Sequence, residues 1–327
     1  MPASTLPLGW LTDFILPRFD AEVTDHGDCI AIRTEQNPSF YWGNCLLLPQ
    51  APADADLAHW RARFSQLIAA GQPEVQHVAI GVRGPREPND ANHPTGVTGP
   101  PSPASAQWLP AWQADGFQIQ DTAVLALQRG EPLAPARPVR AASWALRHID
   151  WATEQPAFID LQCLDCAPYA PAGYRRFRQQ QMARIAGLAQ AGQAAWFGLW
   201  CDGVLAADCG LIRDAAAPGA LGRFQMVGTH PGYRRRGLCT ALVRGVSAWG
   251  FEHWQLAQAV LCADPHDVAI GIYQALGYRP VDAAWQLQRN AAVDQAPTAA
   301  VPLPTPAPDA LPDDGAGPTA TPRELPR

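Results

Sequence analysis

The chain has 327 residues, 47% of them hydrophobic, and a formal net charge of −6. That length exceeds one ordinary domain and suits two, and the apolar content supports a real core. The balance of charge excludes a broadly basic nucleic-acid surface, and no apolar run is long enough to cross a bilayer. Every one of the 24 basic residues is arginine, which reads as a composition bias. The eight cysteines are scattered and do not form the framework of a small secreted fold. Residues Met1 to Thr5 lack the basic and apolar regions of a signal peptide, so the expected location is the cytoplasm.

Along the first half, residues 29–33 and 41–48 are strand-like, 56–69 form an amphipathic helical run, and 75–82 read as another strand. A Gly/Pro/Asn-rich loop covers 84–106. A short helix is expected at 108–115, then Gly116-Phe117 and a strand at 123–127. In the second half, a strand at 144–149 leads to a helix near 153–161 and a longer one from Tyr174 to Ala189, with Arg175, Arg176 and Arg178 expected on its surface. Residues 196–200 and 204–212 form a hairpin turning at Cys201-Asp202-Gly203. Strands at 222–229 and 258–263 follow, with a helix at 241–249 between them. A helix over 267–276 stops at Gly277-Tyr278, and 285–287 form a last strand. From about Asn290 the chain is Ala/Pro-rich and cannot bury enough apolar surface to order itself.

The most informative stretch is Arg234-Arg235-Arg236-Gly237-Leu238-Cys239-Thr240. It follows the apolar run Phe224 to Thr229 and the turn His230-Pro231-Gly232-Tyr233, and it opens an amphipathic helix. A basic, glycine-containing loop at a helix N-terminus collects backbone N–H groups and the positive end of the dipole, which suits a phosphate or pyrophosphate. Gly237 removes the Cβ that would keep an anion away.

The order Val227-x-Thr229-x-Pro231-x-Tyr233-Arg234-x-x-Gly237-x-Cys239 resembles the acetyl-CoA signature of the GNAT superfamily of N-acetyltransferases, with Cys239 in place of the last Gly or Ala. The helix carrying Tyr273 and ending in Gly277-Tyr278 resembles the family's second signature, with His266 where the family often has Asn. The resemblance implies an α/β GNAT fold with a mixed sheet, in which strands 222–229 and 258–263 splay apart. It implies that acetyl-CoA is held by Val227, Gly228, Thr229, Arg234, Arg235, Arg236, Gly237, Leu238, Cys239, Thr240 and His266, with no metal. It makes Tyr273 the general acid and gives a backbone N–H near Val227 to the oxyanion. The acceptor it implies is a primary amine of a small molecule, an aminoacyl compound or a peptide. The alternatives are a non-catalytic acyl-CoA-binding sensor or scaffold, and transfer of a different acyl group.

The Gly116-Phe117 and final-strand pattern of the first half parallels Gly277-Tyr278 and its strand, so a degenerate tandem copy is expected. The expected division is a GNAT-like domain at 1–135, the catalytic domain at 142–289 and a disordered tail at 290–327, in a monomer or homodimer that binds neither nucleic acid nor membrane. The general base is not readable. The signature strand carries Gln225, which takes no proton. His230, Asp208 and His266 are candidates through a water relay, with a turn residue, an exposed hairpin residue and a helix-start residue as their respective structural roles. Cys163-Leu164-Asp165-Cys166 is a lone CxxC without the further ligands zinc needs. Asp160 and Asp165 either hold a substrate ammonium or belong to a surface loop, the latter being favoured. The twelve tryptophans are assigned to core and interdomain packing.

Overall fold

A computed structural model describes residues 8–83, 109–166, 170–214 and 220–290. The loop expected at 84–106, Trp108 and the tail beyond Asn290 lie outside these. The first half contains α1 (Leu8–Asp13), α2 (Pro17–Asp20), β1 (Glu22–Asp25), β2 (Ile30–Arg33), β3 (Asn44–Leu48), α3 (Leu57–Phe64), β4 (His77–Arg83), α4 (Pro110–Ala114) and β5 (Phe117–Gln128). The second half contains β6 (Trp144–His148), α5 (Gln155–Gln162), α6 (Pro171–Gln190), β7 (Ala194–Cys201), β8 (Val204–Asp214) and β9 (Leu221–Thr229). It continues with α7 (Leu238–His253), β10 (Gln258–Ala263), α8 (Ala269–Ala275) and β11 (Arg279–Asn290). No helix among the described residues is long and apolar enough to cross a membrane.

The strands form one sheet in the order β1-β2-β3-β4-β11-β5-β10-β9-β8-β7-β6. This order is pseudosymmetric about the central antiparallel pair β11–β5. On one side β11 pairs antiparallel with β4, which pairs parallel with β3. On the other, β5 pairs antiparallel with β10, which pairs parallel with β9. The two halves repeat one arrangement, and each ends by giving its last strand to the other. β5 lies beside β10 rather than β4, and β11 lies beside β4 rather than β10.

The two central strands are much longer than expected. β5 starts at Phe117 and β11 runs from Arg279 to Asn290. Their polar stretches, including Gln118, Gln120, Gln286 and Gln288, conceal the strand signal, because their partners come from the distant half. Helices cover both faces. In the second half, α7 and α8 close a core with Phe197, Leu211 and Leu261, while α5 and α6 close another with Trp196 and Ile212. In the first half, Phe64, Ile68 and Trp112 cover one face, and Trp10 of α1 with Phe14 just after it the other.

The two parallel pairs differ in one decisive respect. β9 pairs with β10 only through Leu221, Gly222 and Arg223, and then leaves it. β3 stays paired with β4 through Leu46, Leu47 and Leu48, its last residue. The indole of Trp10 also lies over Gly81, where a Cβ would stand 2.4 Å from its ring. A gap between parallel strands therefore opens in the second half alone among the described residues.

Candidate functional site

Where β9 parts from β10, a cleft of about 1130 Å³ opens. A bulge assists the parting. The β8–β9 register shifts between Asp208 and Gly210, and Met226 takes a left-handed φ of 52°. The edge of β9 over Val227, Gly228 and Thr229 faces the gap, and all three residues line it. At the cleft's other end Gly237 is the N-cap of α7 with φ 81°, and no side chain caps the helix. Leu238, Cys239 and Thr240 line the cleft, so the first-turn N–H groups open onto it.

The loop is held from outside by the segment joining the halves. Arg140 N donates to Arg236 O at 3.0 Å, and a Cβ on Gly237 would lie 2.7 Å from Pro138 O. This strap adds Arg137 and Arg140 to Arg234, Arg235 and Arg236 around the cleft. Five arginines line the cleft against Asp165, Asp208 and Asp267, an excess of positive charge that favours a polyanion.

A family model for the acetyltransferase (GNAT) family matches residues 148–278. This part of the chain is a GNAT domain. No curated protein matches the sequence. Among solved structures, a conserved protein of unknown function from Staphylococcus epidermidis ATCC 12228 aligns with a TM-score of 0.61 at 10% identity, covering 83% of this chain and 94% of that one. A GCN5-related N-acetyltransferase from Kribbella flavida aligns with a TM-score of 0.53 at 20% identity, covering 88% and 93%. At these identities the likeness is one of fold, and it extends over both halves.

Inside the GNAT domain the cleft reaches Tyr273 on α8, which is buried at its wall. Burial pushes the phenol well above its ordinary range, so it stays protonated and keeps a proton to donate. Cys239, within its electrostatic reach, has its thiol pushed up to about 12 by burial and stays neutral.

Asp208 differs from expectation. It is 1% exposed, not an exposed hairpin residue, because β8 is an interior strand covered on both faces. Its Oδ2 accepts from Gln162 Nε2 at 2.8 Å and Trp196 Nε1 at 3.0 Å, while Oδ1 has no partner. Burial outweighs these hydrogen bonds and lifts the carboxyl from 3.8 to about 7. Asp208 pairs with Gly228 across the bulge and lines the cleft. The signal for it was an acid inside an otherwise apolar run.

The other predicted residues divide. Val227, Gly228, Thr229, Arg234 to Thr240 and Tyr273 all border the cleft. His266 does not. It is exposed and borders a neighbouring cavity with Asp264 and Arg223, so the cofactor role expected for it is not supported by its position. His230 is a turn residue whose Nδ1 accepts from Gly232 N at 3.1 Å. Asp165 pairs with Arg234 at 2.8 Å and Asp160 with Arg175 at 2.6 Å, both at the surface. Cys163 and Cys166 are free thiols, and no cluster of three metal-ligating side chains stands among the described residues.

A further cavity, of about 580 Å³, lies between the halves. It meets the cleft at Met226 and Tyr174, which line both. α6 and β9 form one side, residues 39–42 of the first half another, and glutamines 120, 286 and 288 of the central strands a third. Arg178 of α6 is 8% exposed here, against the expectation of a surface arginine. It shares the helix face of Met182 and Ile185, a spacing that could have disclosed it.

Proposed function

We propose that this protein transfers an acetyl group from acetyl-CoA to the primary amine of a small molecule, an aminoacyl compound or a peptide. The observation that carries the reading is the meeting of the two cavities at the β9 bulge. One is an arginine-rimmed cleft ending at a buried tyrosine and a buried aspartate. The other is a separate chamber large enough for an acceptor.

In this reading the first-turn N–H groups of α7 and the rim arginines bind the pyrophosphate of acetyl-CoA. The free edge of β9 over Val227 to Thr229 hydrogen-bonds the pantetheine arm. Acetyl-CoA supplies the activated thioester. Asp208 accepts a proton from the acceptor ammonium, and its position near neutrality matches that task. The Val227 N–H stabilises the negative charge developing on the carbonyl oxygen. The freed amine attacks the thioester carbon; as the C–S bond breaks, Tyr273 gives its proton to the departing thiolate and regains one from the nitrogen, which ends as the amide N–H. The first half, whose parallel strands stay closed, contributes a wall of the acceptor chamber.

Calorimetry with acetyl-CoA on wild type and Gly237→Glu tests the site. Micromolar binding by the wild type and none by a folded variant is expected. An unchanged affinity in the variant would remove the loop from the binding site.

A further inference from the structure

Three arginines of the described second half are at least nine-tenths buried, and two of them have carboxylate partners. Arg184 pairs with Asp20. Arg223 pairs with Asp13 at 2.8 Å and donates to Thr12 Oγ1 at 2.8 Å. Among the described residues, no carboxylate lies within ion-pair distance of Arg178. Its Nη2 donates to the Tyr174 hydroxyl at 2.7 Å, and its Nε, buried, has no partner. Its guanidinium sits 4.8 Å from the ring centroid of Tyr174 and 4.7 Å from that of Phe177. The acid that feels its charge is Asp208, and there Arg178 is the weakest of the influences at work.

A buried guanidinium is expensive unless an anion and hydrogen-bond acceptors compensate it. Arg178 lines the chamber that meets the cleft, so a ligand can bring that anion. We infer that the acceptor is an amine that also carries a carboxylate, which Arg178 binds. This rests on the acetyl-transfer reading for the chamber's role as acceptor site. A carboxylate suits the planar donor fork of a single arginine. A phosphate dianion does not suit a chamber with one uncompensated cation and with Asp13 on its wall. Phe40, Tyr41 and Trp42 line the same chamber and offer apolar area, so the acceptor is an amino-acid-like molecule with an apolar or aromatic body. Its ammonium would point toward the bulge and Asp208.

The full chain is tested with common amino acids, each beside its α-amide, which keeps the amine and loses the negative charge. Binding is measured by calorimetry without acetyl-CoA, and transfer separately by thiol release. For the amino acids that bind, the wild type should favour the acid over the amide about tenfold or more. Arg178→Gln should bring the two within about twofold, and Arg178→Lys should keep part of the preference. Thermal unfolding of each variant checks that the fold persists. Equal binding of acids and amides by the wild type overturns the inference, as does binding of no amino acid at all. A loss in Arg178→Gln that is equal for acids and amides overturns it too, because a merely structural arginine would act that way. If the acid preference and its loss are seen while no amine is acetylated, the carboxylate site stands and the transfer reading falls.

Discussion

Replacing Asp208 by Asn should stabilise the protein and abolish most of its activity, and both effects should follow pH. The carboxyl has an ordinary value of 3.8 and is held at about 7 by burial. Below about pH 4 it is protonated in both folded and unfolded chains, and no penalty arises. Between 3.8 and about 7 only the folded state keeps the proton, so stability falls as pH rises. Above that window the folded protein holds a buried carboxylate and the whole penalty is present. At about 1.4 kcal/mol per pH unit, the penalty is roughly 4 kcal/mol, of which about 3 kcal/mol develops between about pH 5 and about pH 8. Asn keeps the acceptor for Gln162 and Trp196, and its amide replaces the Oδ1 that has no partner. Urea unfolding of both proteins at about pH 5 and about pH 8 measures the difference. The advantage of the variant should grow by about 3 kcal/mol at the higher pH. In parallel, wild-type kcat/KM should rise with pH through about 7. The variant should lose that rise and about 10²–10⁴-fold in rate. A stability difference that does not change with pH would refute the argument.

Three further outcomes are expected. Tyr273→Phe should lower kcat by about a hundredfold or more while the acetyl-CoA affinity from calorimetry stays within about twofold, since only a proton donor is removed. Gly81→Ala should lower stability by about 1–3 kcal/mol in urea unfolding, because the added methyl stands 2.4 Å from the Trp10 ring. A fragment ending near residue 135, expressed alone, should aggregate or stay unfolded, because β4 and β5 lose the strand between them, while co-expression with residues 136–327 should give a stable complex by size-exclusion chromatography.

Much of the second half was legible because its signals are local. The sequence from β9 through the basic loop and Gly237 to α7 is contiguous, and each step has its own residue chemistry. Tyr273 and Gly277 likewise sit within one helix and its cap. The parallel between Gly116-Phe117 and Gly277-Tyr278 announced a duplication. The sequence by itself thus determined the fold family and singled out the basic loop and the tyrosine that border the cleft. Only the tertiary structure decided that β5 and β11 exchange places, because their polar residues acquire strand partners from more than a hundred residues away. It alone decided that Asp208 and Arg178 are buried, since a charged residue reads as exposed until the layers covering it are known. It also separated His266 from the cleft and built the second chamber from both halves. Local propensity and motif chemistry depend on near neighbours in the chain, whereas burial, the state of a proton and the walls of a cavity depend on neighbours brought together by packing.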